Sequence, residues 1–119
     1  MTDAEIRGYL EDNGYPRHVV AAGREGLVRR WRDFVREVER GYRFGLEDYR
    51  NDLDVRGILA ILQLDADVAE EDARFEAMLT GCDRRVWESA PGDPFWDFGY
   101  PRNASAELLR DLKTGGIAD

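Results

Sequence analysis

The chain has 119 residues, with 17 Lys plus Arg against 25 Asp plus Glu and a single histidine, so it carries a formal net charge of −8. That length fits one domain, residues 1–119, around one core, and 11% aromatic residues supply enough burial to offset chain entropy despite 35% charged residues. One cysteine, Cys82, excludes an internal disulfide framework, and one His with one Cys excludes a tetrahedral nitrogen–sulfur metal site made by this chain alone.

The elements follow in chain order. Thr2-Asp3-Ala4-Glu5 has capping-box spacing ahead of Ile6, Tyr9 and Leu10 on one helical face, which predicts a first helix running to about Asp12. Asn13-Gly14 suits a helix stop, Pro16 suits the next helix start, and a short helix over 16–22 should end at Gly23. Leu27, Val28, Trp31, Phe34, Val35 and Val38 then form the clearest stripe of a 3.6-residue period, closed by Gly41. Its other faces carry Arg29, Arg30, Arg32 and Arg36, with Glu25 four residues ahead of Arg29.

After a turn at 41–45, Leu46, Tyr49, Leu53, Leu59 and Leu62 predict one long helix, or two joined near Gly57. The run Ile58-Leu59-Ala60-Ile61-Leu62 is apolar nearly all round, which places it at the centre of the core as helix or as a short strand. A further helix is expected over 67–80, with Val68, Phe75, Met78 and Leu79 inward and Gly81 as its stop. Residues from Cys82 onward lose periodicity: Pro91, Gly92, Pro94, Gly99 and Pro101 alternate with Trp87, Phe95, Trp96, Phe98 and Tyr100. Ser105 then caps a last helix bearing Leu108, Leu109 and Leu112, ended by Gly115-Gly116. The expected fold is an all-α, single-domain orthogonal bundle of five or six helices around Trp31, Phe34, Leu53, Leu59, Leu62 and Phe75, with an aromatic-rich irregular segment before the last helix.

Charge is uneven. Residues 1–59 hold 11 bases and 12 acids, whereas residues 60–119 hold 6 bases and 13 acids. Sixteen of the 17 bases are Arg, a bias that genome composition explains as well as ion pairing does. Net acidity opposes binding to phosphate backbones, so nucleic acid is not the expected partner. The opening Met1-Thr2-Asp3-Ala4-Glu5 sets acids where a secretory signal has bases, and no apolar run approaches about 18 residues, so a cytoplasmic chain without a membrane partner is expected.

Candidate chemistry is sparse. Asp48 and Asp52, four apart on a helix, with Asp54 and Glu47 nearby, have the spacing to hold a hard divalent cation or to work as an acid/base pair. Helix chemistry accounts for the same acids: Glu47 and Asp48 favour a helix N-terminus, and Asp52 precedes Arg56 by four. Asp52-Leu53-Asp54-Val55-Arg56-Gly57 imitates a calcium loop at positions 1, 3 and 6, but Arg56 stands at position 5 and Gln63 at position 12, where a bidentate Glu is needed. It also imitates an aspartyl-phosphate motif, without the buried strand that should precede it. His18 is the one imidazole that could act as a general base, yet it has no relay partner close in sequence, and Cys82 lacks a second cysteine three residues away. Asn103-Ala104-Ser105 matches a glycosylation acceptor, which is idle without secretion. No cofactor is expected.

The aromatic segment is the main functional candidate. Phe95-Trp96-Asp97-Phe98-Gly99-Tyr100 mixes interface-type rings with an acid, a combination suited to anchoring a protein with a basic surface; the alternative is that the rings cover an open end of the bundle. The leading expectation is therefore a small acidic interaction protein, such as an immunity- or antitoxin-like inhibitor, rather than an enzyme. A metal-dependent module using Asp48, Asp52 and Asp54 is the rival. A homodimer that sets the Arg29, Arg30, Arg32 and Arg36 face against its twin's acidic half is a third reading.

Tyr15-Pro16-Arg17-His18-Val19-Val20, Gly26-Leu27-Val28-Arg29-Arg30-Trp31, Asn51-Asp52-Leu53-Asp54-Val55-Arg56 and Tyr100-Pro101-Arg102-Asn103 together resemble a group of small uncharacterised bacterial proteins. The resemblance spans most of the chain. It implies a bacterial cytosolic protein and transfers no catalytic residue.

Overall fold

The structure is a computed structural model and describes residues 1–80 and 99–116. Helix α1 spans Asp3–Asp12 and begins with the full capping box: Glu5 N–H donates to Thr2 Oγ1 at 3.2 Å, while the Glu5 carboxylate accepts from the Thr2 backbone. Ile6 and Leu10 are buried, and Gly14, at φ +75°, turns the chain towards Pro16.

Helix α2 spans Arg17–Arg40 and is interrupted at Gly23, where φ is +57° and ψ −143°. The expected stop at Gly23 is thus present, with a second helical stretch starting immediately afterwards. Asp3 of α1 makes that restart workable, because its Oδ1 accepts from the Arg24 backbone N–H at 3.0 Å and caps the second stretch from across the hairpin. A Cβ on Gly23 would sit 2.5 Å from that oxygen, so both the dihedrals and the space require glycine. Leu27, Trp31, Phe34, Val35 and Val38 are all buried, and Gly41, at φ +104°, ends the helix.

Helix α3 spans Leu46–Ile61 as one element, so Gly57 does not divide it. The all-round burial expected of residues 58–62 fails: Leu59 and Leu62 are buried, whereas Ile61 is 61% exposed. Ile61 lies about 200° round the helix from Leu59, which places the two on opposite faces. The helix stops without a glycine. Gln63 adopts φ +60°, and Leu64 N–H donates back to Leu59 O at 2.8 Å.

A 3₁₀ turn over Asp65–Val68 leads into α4, Ala69–Glu76. The single helix expected over 67–80 is therefore shorter at both ends. Its tail becomes a strand, β1 (Leu79–Thr80), which pairs antiparallel with β2 (Tyr100–Pro101) in the register Leu79 to Pro101 and Thr80 to Tyr100. Helix α5, Ala106–Thr114, starts with Ser105 Oγ accepting from Leu108 N–H at 3.1 Å, and it buries Leu108 and Leu112. Gly115 forms its C-cap.

The described residues form an all-α bundle of five helices with an aromatic cluster ahead of the last one. Trp31, Phe34 and Phe75 lie with ring centroids 5.3–5.5 Å apart, and Tyr42 and Tyr49 extend the cluster at 5.4–5.9 Å in tilted and edge-on pairings. Every core residue expected from sequence (Trp31, Phe34, Leu53, Leu59, Leu62 and Phe75) is buried. Among the described residues, no helix is long and apolar enough to cross a membrane.

Candidate functional site

The acids of the 3₁₀ turn and α4 face the arginines of α2 and α3, so much of the uneven charge is neutralised inside the chain. Arg24 pairs with Asp67 at 2.7 Å and Arg32 with the buried carboxylate of Glu71 at 3.0 Å, while Arg74 of α4 pairs in the opposite sense with Glu39 of α2. Arg56 is the centre of this arrangement. Its Nε and Nη2 both donate to Asp72, at 2.9–3.1 Å, and Nη2 also reaches Asp65 at 2.7 Å. Asp72 in turn accepts from the indole N–H of Trp31 at 2.9 Å. Three helices, α2, α3 and α4, thus meet on one carboxylate. Burial on its own would lower the Arg56 pKa; its hydrogen bonds to Asp72 and Asp65 outweigh it and raise the pKa.

The candidate carboxylates of α3 behave differently from one another. Asp52 does not pair with Arg56, which is committed to α4 and the 3₁₀ turn; it accepts from the buried Tyr42 hydroxyl at 2.7 Å. Burial first, then that hydrogen bond and the charges of Asp52, Asp48 and Glu37, push the Tyr42 phenol well above its ordinary range. Glu47 and Asp48 occupy the first turn, as expected from sequence. Among the described residues, no group of three or more His, Cys, Asp or Glu side chains is placed to hold a metal, so Asp48, Asp52 and Asp54 do not form one. His18 is exposed in the first turn of α2.

A groove of about 670 Å³ runs between α3 and α5. One wall is the α3 face bearing Glu47, Arg50, Asn51 and Asp54, and the other bears Asp111 and Thr114, with Leu46 between them. The walls are tied together at one end. Asp111 Oδ2 accepts from Leu46 N–H at 3.0 Å, which supplies the cap that Gly45 cannot, and Ser105 Oγ donates to Phe44 O at 3.2 Å. Sequence reasoning missed this groove, because Asp111 gives no sign of reaching an element 65 residues earlier.

A second feature is a clasp at the two ends of residues 81–98. Besides the β1–β2 pairing, Arg102 N–H donates to Met78 O at 2.9 Å, Tyr49 Oη to Gly99 O at 2.7 Å, and Asn103 Nδ2 to Val38 O at 3.2 Å. The clasp is thereby fixed to α2 and α3 as well as to itself. Asn103, read from sequence only as an idle glycosylation acceptor, is one of its fasteners. Of the candidate anchors, Tyr100 is half-buried within the clasp, while Phe95, Trp96, Asp97 and Phe98 lie outside the described residues, as do Trp87 and Cys82.

The Arg-rich face of α2 is partly committed within the chain: Arg32 goes to Glu71, and Arg29 is 3.4 Å from Glu25. Neither a protein-family model, nor a curated protein, nor a solved structure matches the chain.

Proposed function

We propose that this chain is a small acidic interaction domain of the bacterial cytosol, an immunity- or antitoxin-like inhibitor that engages a protein with a basic surface. The clasp carries this reading. Three paired or hydrogen-bonded positions join the two ends of the clasp to each other and two more fix it to the two longest helices, which gives a recognition element a fixed base. The segment itself, Phe95-Trp96-Asp97-Phe98-Gly99-Tyr100, combines the ring types that dominate interface energetics with a carboxylate for a cationic partner.

The test is affinity capture from a bacterial lysate at low salt, with the full chain and its Trp96→Ala/Phe98→Ala variant as paired baits. The expected result is a basic protein whose own activity falls when the chain is added, and whose retention drops at least about tenfold on the variant bait. Retention of no basic protein, or full activity of the captured protein in the presence of excess chain, refutes the reading.

A further inference from the structure

We infer that the groove at the C-terminal end of α2 is the interface of a weak homodimer, in which two copies meet about a twofold axis with their α2 helices antiparallel. The inference is independent of the interaction-domain reading above. It also differs from a dimer that sets Arg29, Arg30, Arg32 and Arg36 against a twin's acidic half.

The groove encloses about 440 Å³ and is lined by Asp33, Glu37, Arg40, Gly41 and Arg43. Its charges are sorted along the chain, two acids first and two bases after them, so it is neutral as a whole but has an acidic and a basic end. Asp33, Glu37 and Arg40 share one face of α2, where Arg40 lies about 10.5 Å beyond Asp33 and about 4.5 Å beyond Glu37 along the helix. Such an order is its own complement. A twofold axis between Glu37 and Arg40 sets Glu37 against the twin's Arg40, and Asp33 against the twin's Arg43; symmetry repeats both, giving four ion pairs.

These charges are not consumed inside the chain. Asp33 and Arg40 are exposed and make no side-chain hydrogen bond or ion pair among the described residues. Glu37 acts on Tyr42 through its field, without a hydrogen bond to it. Arg43 lies over the Phe44 ring at 5.8 Å, and a contact to the ring face leaves its N–H donors free to meet a carboxylate.

The shape agrees with the charge. Gly41 lines the groove without a side chain, and a Cβ built on it meets nothing within 4 Å, so the space beside the axis is open to a twin's approach. Phe44, 45% exposed beneath Arg43, adds an apolar rim that a twin covers. Two chains of net charge −8 repel each other elsewhere, yet here they meet across a neutral patch, and about 0.15 M salt screens charges more than about 8 Å apart.

Crossed charge reversals test the contact, with sedimentation equilibrium of the full chain at that salt and at concentrations up to about 1 mM. The wild-type chain is expected to dimerise with a dissociation constant on the order of 0.1–1 mM, in keeping with four exposed pairs. Glu37→Arg and Arg40→Glu each set like charges against one another twice, and each should weaken self-association at least about tenfold. In an equimolar mixture of the two variants the reversed charges face each other, so association should return to within about threefold of wild type. Asp33→Arg mixed with Arg43→Asp repeats the test through the outer pair.

A wild-type chain that stays monomeric throughout overturns the proposal, as do single variants that associate like wild type. A mixture that stays monomeric, although circular dichroism melts show both variants folded, overturns it equally. If either inner variant fails to fold, the outer pair decides by the same criteria.

Discussion

Replacing Asp72 by Ala removes the carboxylate on which α2, α3 and α4 converge. The indole N–H of the fully buried Trp31 loses its charged acceptor, an interaction worth about 1.5–3 kcal/mol. Arg56, with a side chain only 12% exposed, loses three of its four hydrogen bonds in the network and keeps the one to the more exposed Asp65. Stranding a wholly buried charge costs about 3–5 kcal/mol, and the surviving Asp65 contact brings the Arg56 share down to about 1–2 kcal/mol. The expected total is about 3 kcal/mol. With a urea m value of about 2 kcal/mol/M, the unfolding midpoint followed by tryptophan fluorescence falls by about 1.5 M. A double-mutant cycle with Arg56→Met isolates the pair: once the cation is gone, removing Asp72 strands no charge, so a coupling of about 1–3 kcal/mol is expected. The reasoning is refuted if Asp72→Ala costs no more than Glu70→Ala, its exposed neighbour on α4, or if the cycle is additive to within about 0.5 kcal/mol.

Three further outcomes are expected. Gly23→Ala should destabilise by about 2 kcal/mol or more, whereas Gln63→Gly should stabilise by about 0.5–1 kcal/mol; the first forces a Cβ into a glycine-only conformation beside Asp3, and the second relieves a side chain held at positive φ, with thermal melts reading both. Trp31→Ala should cost about 3–5 kcal/mol, and an unchanged melting curve contradicts its place at the centre of the aromatic cluster. Tyr42 gives a pH signature: the folded chain holds the phenolic proton above pH 10 while the unfolded chain releases it, so stability is intact below about pH 10 and declines as pH rises beyond it, by up to about 1.4 kcal/mol per unit. Tyr42→Phe should flatten that decline, and an identical alkaline slope in denaturant titrations excludes the Tyr42–Asp52 contact as its source.

Local pattern carried the helical frame, because periodicity and capping are short-range properties. Thr2 and Glu5 predict the start of α1, the stripe from Leu27 to Val38 predicts the buried face of α2, and Ser105 predicts the start of α5. The errors arise where a residue's partner is remote. Ile61 reads as core because hydropathy ignores which side of a helix a neighbour occupies, and Gln63 ends α3 without the glycine that would have marked the stop. Leu79 and Thr80 continue an amphipathic run and become a strand only because Tyr100 and Pro101 are there to pair with. The candidate site divides in the same way. Glu47, Asp54 and Tyr100 are visible as chemical types, whereas the groove depends on Asp111 crossing to Leu46, and the three-helix junction at Asp72 depends on Arg56 preferring Asp72 to the helical neighbour Asp52.

The clasp also bears on the order in which the chain folds. Leu79–Thr80 and Tyr100–Pro101 lie side by side although about 20 residues separate them, so the chain must close that loop before the pairing returns any energy. The capping box of α1 and the apolar stripe of α2 join residues only three or four apart. The β1–β2 pairing is therefore expected to form after the helices that it ties together.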